Sequence, residues 1–522
     1  MTDSRTSKSI KNANVAIFFY FAQMLMGFWS RKVFYDYLGS EVLGLDTTAG
    51  TILGFLNLAE LGVSSAVGYF LYKPVFNKDF KTINEIVALQ GWIYRRVAII
   101  IIMAAAILMC FFPIIFKDIS IPLWYAYATF SVLLFGALLG YFVNYKMCVL
   151  YADQREYKVT KITQSANLLM KIILVILLPI VSHPFIFYIS LNFFSVLFGT
   201  LWINHVLKKN YPWLGKVETS GRNLLRKYPE LLKKTKQIFV HRISTVVVLE
   251  IQPMIMYAFT SLSVVAYYGN YIAIIGKAKD IIKTAFSSTQ AGVGNLVASG
   301  DKNRIIRVFW ELFDSRMCLS TSAILVLGAI TDPFISVWLS KDYLLGPVVL
   351  SLILIQSWIA IMRTTVDNFV VGYGLFQDVW APITESILYL GGSLIFGYLW
   401  GISGVLMGGL LSNLVIICIW KPIFLFKCGF NMPYIKCYFI PVFKRLLLIG
   451  INACGLYYIS HFISKKYTID SFYQVGIYTL VLSIIVFPLL YGEFLAFSTG
   501  MRDFNNRMIQ FCLLYTSPSP RD

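Results

Sequence analysis

"LGSEVLGLDTTAGTILGFLNLAELGVSSAVGYFLYKPVFNKDFKTINE", residues 38–85, decides the fold. It is apolar enough to lie in lipid, yet it carries Glu60, a scatter of Gly, Ser and Thr, and a basic exit at Lys73, Lys78 and Lys81. An apolar run of about 20 residues is the signature of a lipid-spanning helix, and a basic loop straight after it marks the cytoplasmic side. Small residues within the run let helices approach closely. A carboxylate at that depth costs roughly a few kcal/mol, so it faces a partner or an aqueous cavity. Glu60 therefore has two readings, an ion-coupling group or an interhelical hydrogen-bonding group.

The rest of the chain repeats the pattern. Of 522 residues, 58% are hydrophobic and only 14% charged, and the mean hydropathy is +0.69. A soluble protein carries about 25% charged residues, so the composition is that of a polytopic membrane protein. The net charge of +19, from 45 Lys+Arg against 26 Asp+Glu, reads as loop charge that sets topology. Nucleic-acid binding is excluded, because no soluble domain is left to carry it. Cys110, Cys148, Cys318, Cys418, Cys428, Cys437 and Cys454 are dispersed, with no CxxC and no histidine motif, so neither a metal nor a redox cofactor is expected.

Fourteen spans are expected, at 13–36, 44–72, 86–116, 121–150, 158–181, 184–206, 237–260, 264–298, 304–330, 344–374, 378–399, 401–426, 434–462 and 471–493. Arg5, Lys8 and Lys11 precede the first span and no A-x-A-like cleavage site follows, so it is expected to stay as a signal anchor. Cations fall mainly in alternate loops, placing both termini in the cytoplasm. The expected organisation is an all-α polytopic membrane protein. It comprises an N-terminal six-helix bundle (1–206), a basic cytoplasmic linker (207–236) and a C-terminal six-helix bundle (237–430). Two additional helices (431–495) and a cytoplasmic tail (496–511) follow. Residues 512–522, "CLLYTSPSPRD", back-translate as a sequencing-library adapter and are expected to be foreign to the protein, Cys512 included. At an offset of 223 the two halves match weakly, placing Ser64-Ser65 over Ser287-Ser288 and one basic loop over another. A parallel repeat of this kind is expected to form two pseudo-symmetric bundles with a cleft between them.

Charges inside the spans mark the candidate sites. The first span holds Arg31, Lys32 and Asp36; the seventh holds His241, Arg242, Glu250 and Gln252; the eighth holds Lys277, Lys279, Asp280 and Lys283; the tenth holds Arg363, Asp367 and Asn368. At 100° per residue, Lys279, Lys283 and Gln290 fall within about 40° of one another, and His241, Thr245 and Gln252 form a comparable stripe. Such cationic density suits a large anionic group such as pyrophosphate, which guanidinium and ammonium groups bind through charge-assisted hydrogen bonds. Arg31, Lys279, Lys283, His241 and Arg242 are the binding candidates; Glu60, Asp367, Asp280 and Glu250 are the ion-coupling candidates. Lys32, Asp36, His241 and Arg242 also lie near span ends, where snorkelling accounts for them equally well. Lys277 and Asp280, three residues apart, are placed to neutralise each other.

The run "RKVFYDYLGSEVLGLDTTAGTILGFLNLAELGVSSAVGYFLYKP", residues 31–74, resembles the opening of bacterial polysaccharide (O-antigen type, Wzx-like) flippases of the multidrug/oligosaccharidyl-lipid/polysaccharide exporter superfamily. "VVAYYGNYIAIIGKAKDIIKTAFSSTQAGVGNLVASGDKNR", residues 264–304, is similar to that family's eighth helix and following loop. The resemblance implies fourteen helices and alternating-access transport of undecaprenyl-pyrophosphate-linked oligosaccharide across the inner membrane. It implies pyrophosphate binding by cavity cations, which map to Arg31 and the Lys279/Lys283 stripe. It also implies coupling to H+ or Na+, with glycosyltransferases and a polysaccharide polymerase as functional partners. Two rivals stand beside it. A multidrug antiporter of the same superfamily would have unpaired carboxylates dominating its cavity. A polytopic polymerase or ligase would carry a large external loop with catalytic residues, and the span map leaves no room for one.

Overall fold

The computed structural model describes residues 5–60, 63–153, 155–215, 217–231, 233, 235, 251–286, 289–298, 300–375, 377–378, 380–466 and 469–516, with the side chains of a few residues in these segments excepted. The architecture is all-α, with no strand among the described residues. Nine helices among them are long and apolar enough to cross a membrane, and the protein is a multi-pass membrane protein. The seventh expected span lies largely outside the described residues, which include only its end, Gln252–Phe259. The chain divides into two compact units, Met1–Ala266 and Tyr267–Asp522.

The first unit opens with α1 (Arg5–Leu56), whose long apolar sequence is bent at Gly39, at φ 80 and ψ 171. A left-handed φ of this kind falls to glycine because it has no Cβ to clash. Arg31 and Asp46 act on each other electrostatically. In a straight helix their 15-residue separation would be about 22 Å, so the chain folds back at Gly39 and α1 is two arms. After one 3-10 turn, Asn57–Glu60, the chain continues as α2 (Val63–Asn77). The basic exit ends at Asp79, whose side chain accepts from the Thr82 backbone N–H at 3.0 Å and caps α3 (Phe80–Cys110). α4 (Trp124–Phe142), α5 (Glu156–Leu177) and α6 (Pro184–Asn210) complete the long helices of this unit. Their core is a band of Val, Ile and Leu from α2, α3, α5 and α6, around Leu71, Ile86, Leu89, Val159 and Ile203.

The segment expected as a plain linker carries a short helix, α7 (Gly221–Lys227), capped by Ser220. It packs on α3: Leu224 is buried, and the Lys227 ammonium and Tyr228 hydroxyl both donate to Glu85, at 2.6 and 2.5 Å. α8 (Gln252–Phe259) leads into α9 (Leu262–Ala285). Where α9 begins, a Cβ added to Gly44 would sit 1.9 Å from the Leu262 carbonyl oxygen, so only glycine admits this approach of α1 to the backbone.

In the second unit, α10 (Thr289–Ala298) follows α9, and α11 (Lys302–Trp338) runs on to α12 (Pro347–Gly372). α13 (Trp380–Ser412) reverses at Trp400 and at Gly401, which has φ 56. Gly404 lies against Phe396 and Gly408 against Gly392 and Ser393. These pairs have a constant sum of positions, which is the pattern of two antiparallel arms packed through small residues. The reading of 378–399 and 401–426 as separate spans rests on the same break. α14 (Ile440–Lys466), α15 (Phe472–Phe497) and α16 (Thr499–Thr516) end the described chain. An aromatic core built on Phe309, Phe313, Phe369, Phe426, Phe430 and Tyr438 joins α11, α12, the end of the α13 segment and the approach to α14.

α14 and the α15–α16 junction are latched to α11 by a buried ion pair. Arg445 donates to both oxygens of Asp314, at 2.5 and 2.8 Å, and Ser498 donates to the same carboxylate. Asp314 is wholly buried, and the guanidinium lies 4.5 Å over the Trp310 ring. The fork-to-carboxylate geometry satisfies both charges at once.

Candidate functional site

The two units present their candidate charges differently, so each site is built separately. In the first unit, Arg31 sits half-buried on the first arm of α1. Its Nη2 donates to the Ala266 carbonyl at 3.0 Å, its side chain bonds Tyr35, and Asp46 on the second arm adds an opposite charge. Tyr188 of α6 bonds Asp46 and also meets Asn192, while its ring stands edge-on to Phe34 at 4.9 Å. A second polar contact lies a few turns along the same arm: Lys171 of α5 donates to Gln23 Oε1 at 2.7 Å, and Gln23 in turn donates to the Gln164 carbonyl at 2.9 Å. Lys32 and Asp36 approach to 3.8 Å with both side chains about half exposed, the disposition of a snorkelled i,i+4 pair.

Glu60 ends the 3-10 turn between α1 and α2. Its Oε1 accepts from the Ser64 hydroxyl at 2.5 Å and from the Tyr94 hydroxyl at 2.6 Å. Tyr141 stands edge-on to Tyr94 at 5.2 Å and donates to Asn57 Oδ1 at 2.9 Å. The carboxylate has no ion pair within 4 Å among the described residues. It is held by hydroxyls, which accommodate either protonation state.

In the second unit the cluster forms around α9 and α12. Lys283 shares an electrostatic neighbourhood with Lys279, Asp280, Arg363 and Asp367. Arg363 is committed: its Nε donates to Asp367 at 3.0 Å and its Nη1 lies 3.4 Å from Glu385, a buried carboxylate of α13. Asn368 donates to Thr289 at 3.2 Å. Lys279 and Lys283 have no carboxylate within 4 Å among the described residues. Two half-buried ammonium groups thus lie beside an arginine whose own charge is already met. Asp280 is exposed, three residues after the half-buried Lys277. His241, Arg242, Thr245, Glu250, Ser287 and Ser288 lie outside the described residues, as do the side chains of Ser65 and Gln290.

No protein-family model and no curated relative matches the sequence. Solved structures do. The chain superposes on lipid II flippase MurJ in an inward closed conformation with a TM-score of 0.61, over 92% of this chain and 99% of that one, at 14% identity. An inward-facing multidrug resistance MATE family transporter of the MOP superfamily gives a TM-score of 0.52, over 78% of this chain and 95% of that one, at 12% identity. The fold is shared with a flippase and a drug transporter. At these identities the likeness is one of architecture, and it leaves the substrate to the side chains.

Four groups were missed by reading the sequence alone. Asp46, Lys171, Arg316 and Glu385 are each charged residues within apolar context, so the signal was present. Arg316, in "WELFDSRMCLS" at 310–320, is the most buried of them, 1% exposed.

Proposed function

We propose that the protein is a lipid-linked oligosaccharide flippase. It moves undecaprenyl-pyrophosphate-linked glycan repeat units across the bacterial inner membrane by alternating access, for surface polysaccharide assembly. The observation that carries this reading is the Lys279/Lys283 pair. Two membrane-embedded ammonium groups with no carboxylate at contact distance among the described residues cost free energy unless an anion visits them, and a pyrophosphate offers several oxygens to both. Arg31, with Tyr35 beside it, is the counterpart cation in the first unit, and His241 and Arg242 remain candidates on the same grounds. The likeness to a lipid II flippase supports a lipid-linked substrate. Both termini are cytoplasmic in this reading, glycosyltransferases and a polymerase act before and after the step, and no catalysis by the chain itself is invoked.

Replacing Lys279 and Lys283 together by Ala, or Arg31 by Ala, tests it in a strain dependent on this gene for surface glycan. The expected outcome is loss of most glycan at normal protein level. Undiminished glycan overturns the pyrophosphate assignment. A second reading, a cation-coupled multidrug antiporter, has one observation in its favour: Glu60 and Asp46 are met by hydroxyls as well as, or instead of, cations. Drug export unchanged by Glu60→Gln and Asp46→Asn would remove it.

A further inference from the structure

Arg316 is not explained by the flippase reading. It is fully buried in the middle of α11, with no ion pair within 4 Å among the described residues. Its Nη1 donates to Thr365 at 2.6 Å, its Nη2 reaches Thr289 Oγ1 at 3.5 Å, its plane lies 4.5 Å over the Phe286 ring, and its Nε has no partner. The carboxylates nearest in sequence are taken: Asp314 by Arg445, and Glu311 by Arg507. Hydroxyls and a ring face are weak compensation for a buried guanidinium, which normally requires an opposite charge.

A route to that charge exists. A cavity of about 260 Å³ runs between α10, α11 and α16. Arg304 and Arg507 lie at one end, Val293, Val308 and Leu312 along the walls, and Thr289 at the other. Residues 304, 308 and 312 lie four apart on one stripe of α11, and the lining ends at Thr289, whose hydroxyl oxygen stands 3.5 Å from Arg316 Nη2. At the inner end, Thr289 Oγ1 receives both Arg316 and Asn368 while donating to the Phe286 carbonyl at 2.7 Å. Two donors thus converge on a single neutral oxygen.

We propose that this cavity is an inorganic-anion site, occupied by a small, weakly hydrated monovalent anion of the halide class that serves as counter-ion to Arg316. The apolar walls set the class: a multivalent phosphate would lose far more hydration on passing them than a halide does. Arg304 at the rim, which makes no ion pair within 4 Å among the described residues, raises the local anion concentration at the entrance. Bound anion stabilises this unit and leaves the Lys279/Lys283 cluster free for substrate.

The test is thermal unfolding of the purified full-length chain at fixed ionic strength, with gluconate replaced stepwise by chloride or bromide. A saturable rise in Tm on the order of 2–4 °C is expected. Arg316→Met, which keeps the length without the charge, abolishes the rise. Thr289→Val, which keeps the volume without the hydroxyl, shifts half-saturation to about tenfold higher halide and decides the matter should the methionine variant fail to fold. Lys279→Ala with Lys283→Ala keeps the wild-type response, which separates this site from the substrate cluster. No halide response in the wild type, a response unchanged in both the Arg316 and Thr289 variants, or one lost only with the two lysines overturns the proposal.

Discussion

Two acids of the first unit, Glu60 and Asp46, are met by hydroxyls, and four of the second, Asp314, Asp367, Glu385 and Asp378, by guanidinium or ammonium groups. Asp332 of the second unit keeps the hydroxyl pattern through Tyr271, at 2.8 Å. Glu60 is held by Ser64 and Tyr94, and Asp46 is bonded by Tyr188. Asp314 is clamped by Arg445, Asp367 and Glu385 share Arg363, and Asp378 binds Lys421 at 3.0 Å. The two solutions differ in what protonation does. A carboxylate among hydroxyls becomes a neutral acid that still has partners on every side. A carboxylate clamped by an arginine strands a buried cation when it is neutralised. For the proposed flippase, a reversible coupling acid would fit the first pattern and a helix latch the second. Among the four coupling candidates, this favours Glu60 over Asp367, whose oxygen is already bonded by Arg363.

The sharpest way to break the comparison is Asp314→Asn. It removes one charge of a bidentate pair at a wholly buried position, and the cost expected for breaking such a pair is about 3–5 kcal/mol. Thermal unfolding of the purified variant should show a large fall in Tm, together with a fall in the level of folded protein in membranes. A loss under about 1 kcal/mol would mean that the clamp is no stronger than an exposed pair, and the contrast between the units would lose its basis.

That latch also shows what the sequence did not disclose. The all-α character, the positions of most spans and the reversals at Gly39 and Gly401 follow from local signals: apolar runs, and glycines where φ is positive. Lys279, Lys283, Arg363 and Asp367 were visible as embedded charges, and the structure brings them together. Their partners were not visible. Asp314 meets Arg445 across 131 positions and Glu311 meets Arg507 across 196, separations fixed by tertiary packing rather than by any helical spacing. The polar segment 207–236 read as a bare linker because its binding surface, Glu85 with Trp92, belongs to a helix more than a hundred residues earlier.

A smaller effect sharpens the same contrast. Glu60→Gln keeps an oxygen that accepts from Ser64 and Tyr94, and it strands no cation, so the expected loss of stability is at most about 1 kcal/mol. Transport is where this variant should differ. With Glu60 as a coupling acid, substrate movement driven by an imposed ion gradient in proteoliposomes falls to the level seen without a gradient, while Tm scarcely moves. Gradient-driven movement equal to wild type assigns Glu60 to helix packing alone.

The weakest predicted effect lies outside the membrane, at the contact of α7 with α3. The Lys227 ammonium donates to Glu85, and this hydrogen bond holds it above the ordinary lysine value of 10.5. A group whose folded-state pKa is raised contributes stability that is fully present below its unfolded value. The contribution fades as pH rises through the folded value. Docking of Gly221–Lys227 should thus be complete at neutral pH and weaken only above about pH 10. Hydrogen exchange over residues 221–228 should rise in that alkaline window in the wild type. In Lys227→Met the same segment should exchange faster already at neutral pH and show less additional change above pH 10. Because Lys227 is well exposed, its ion pair is screened by solvent and the change is expected to stay local to α7, while the Asp314 latch, buried and away from water, holds α14 in place over the same range.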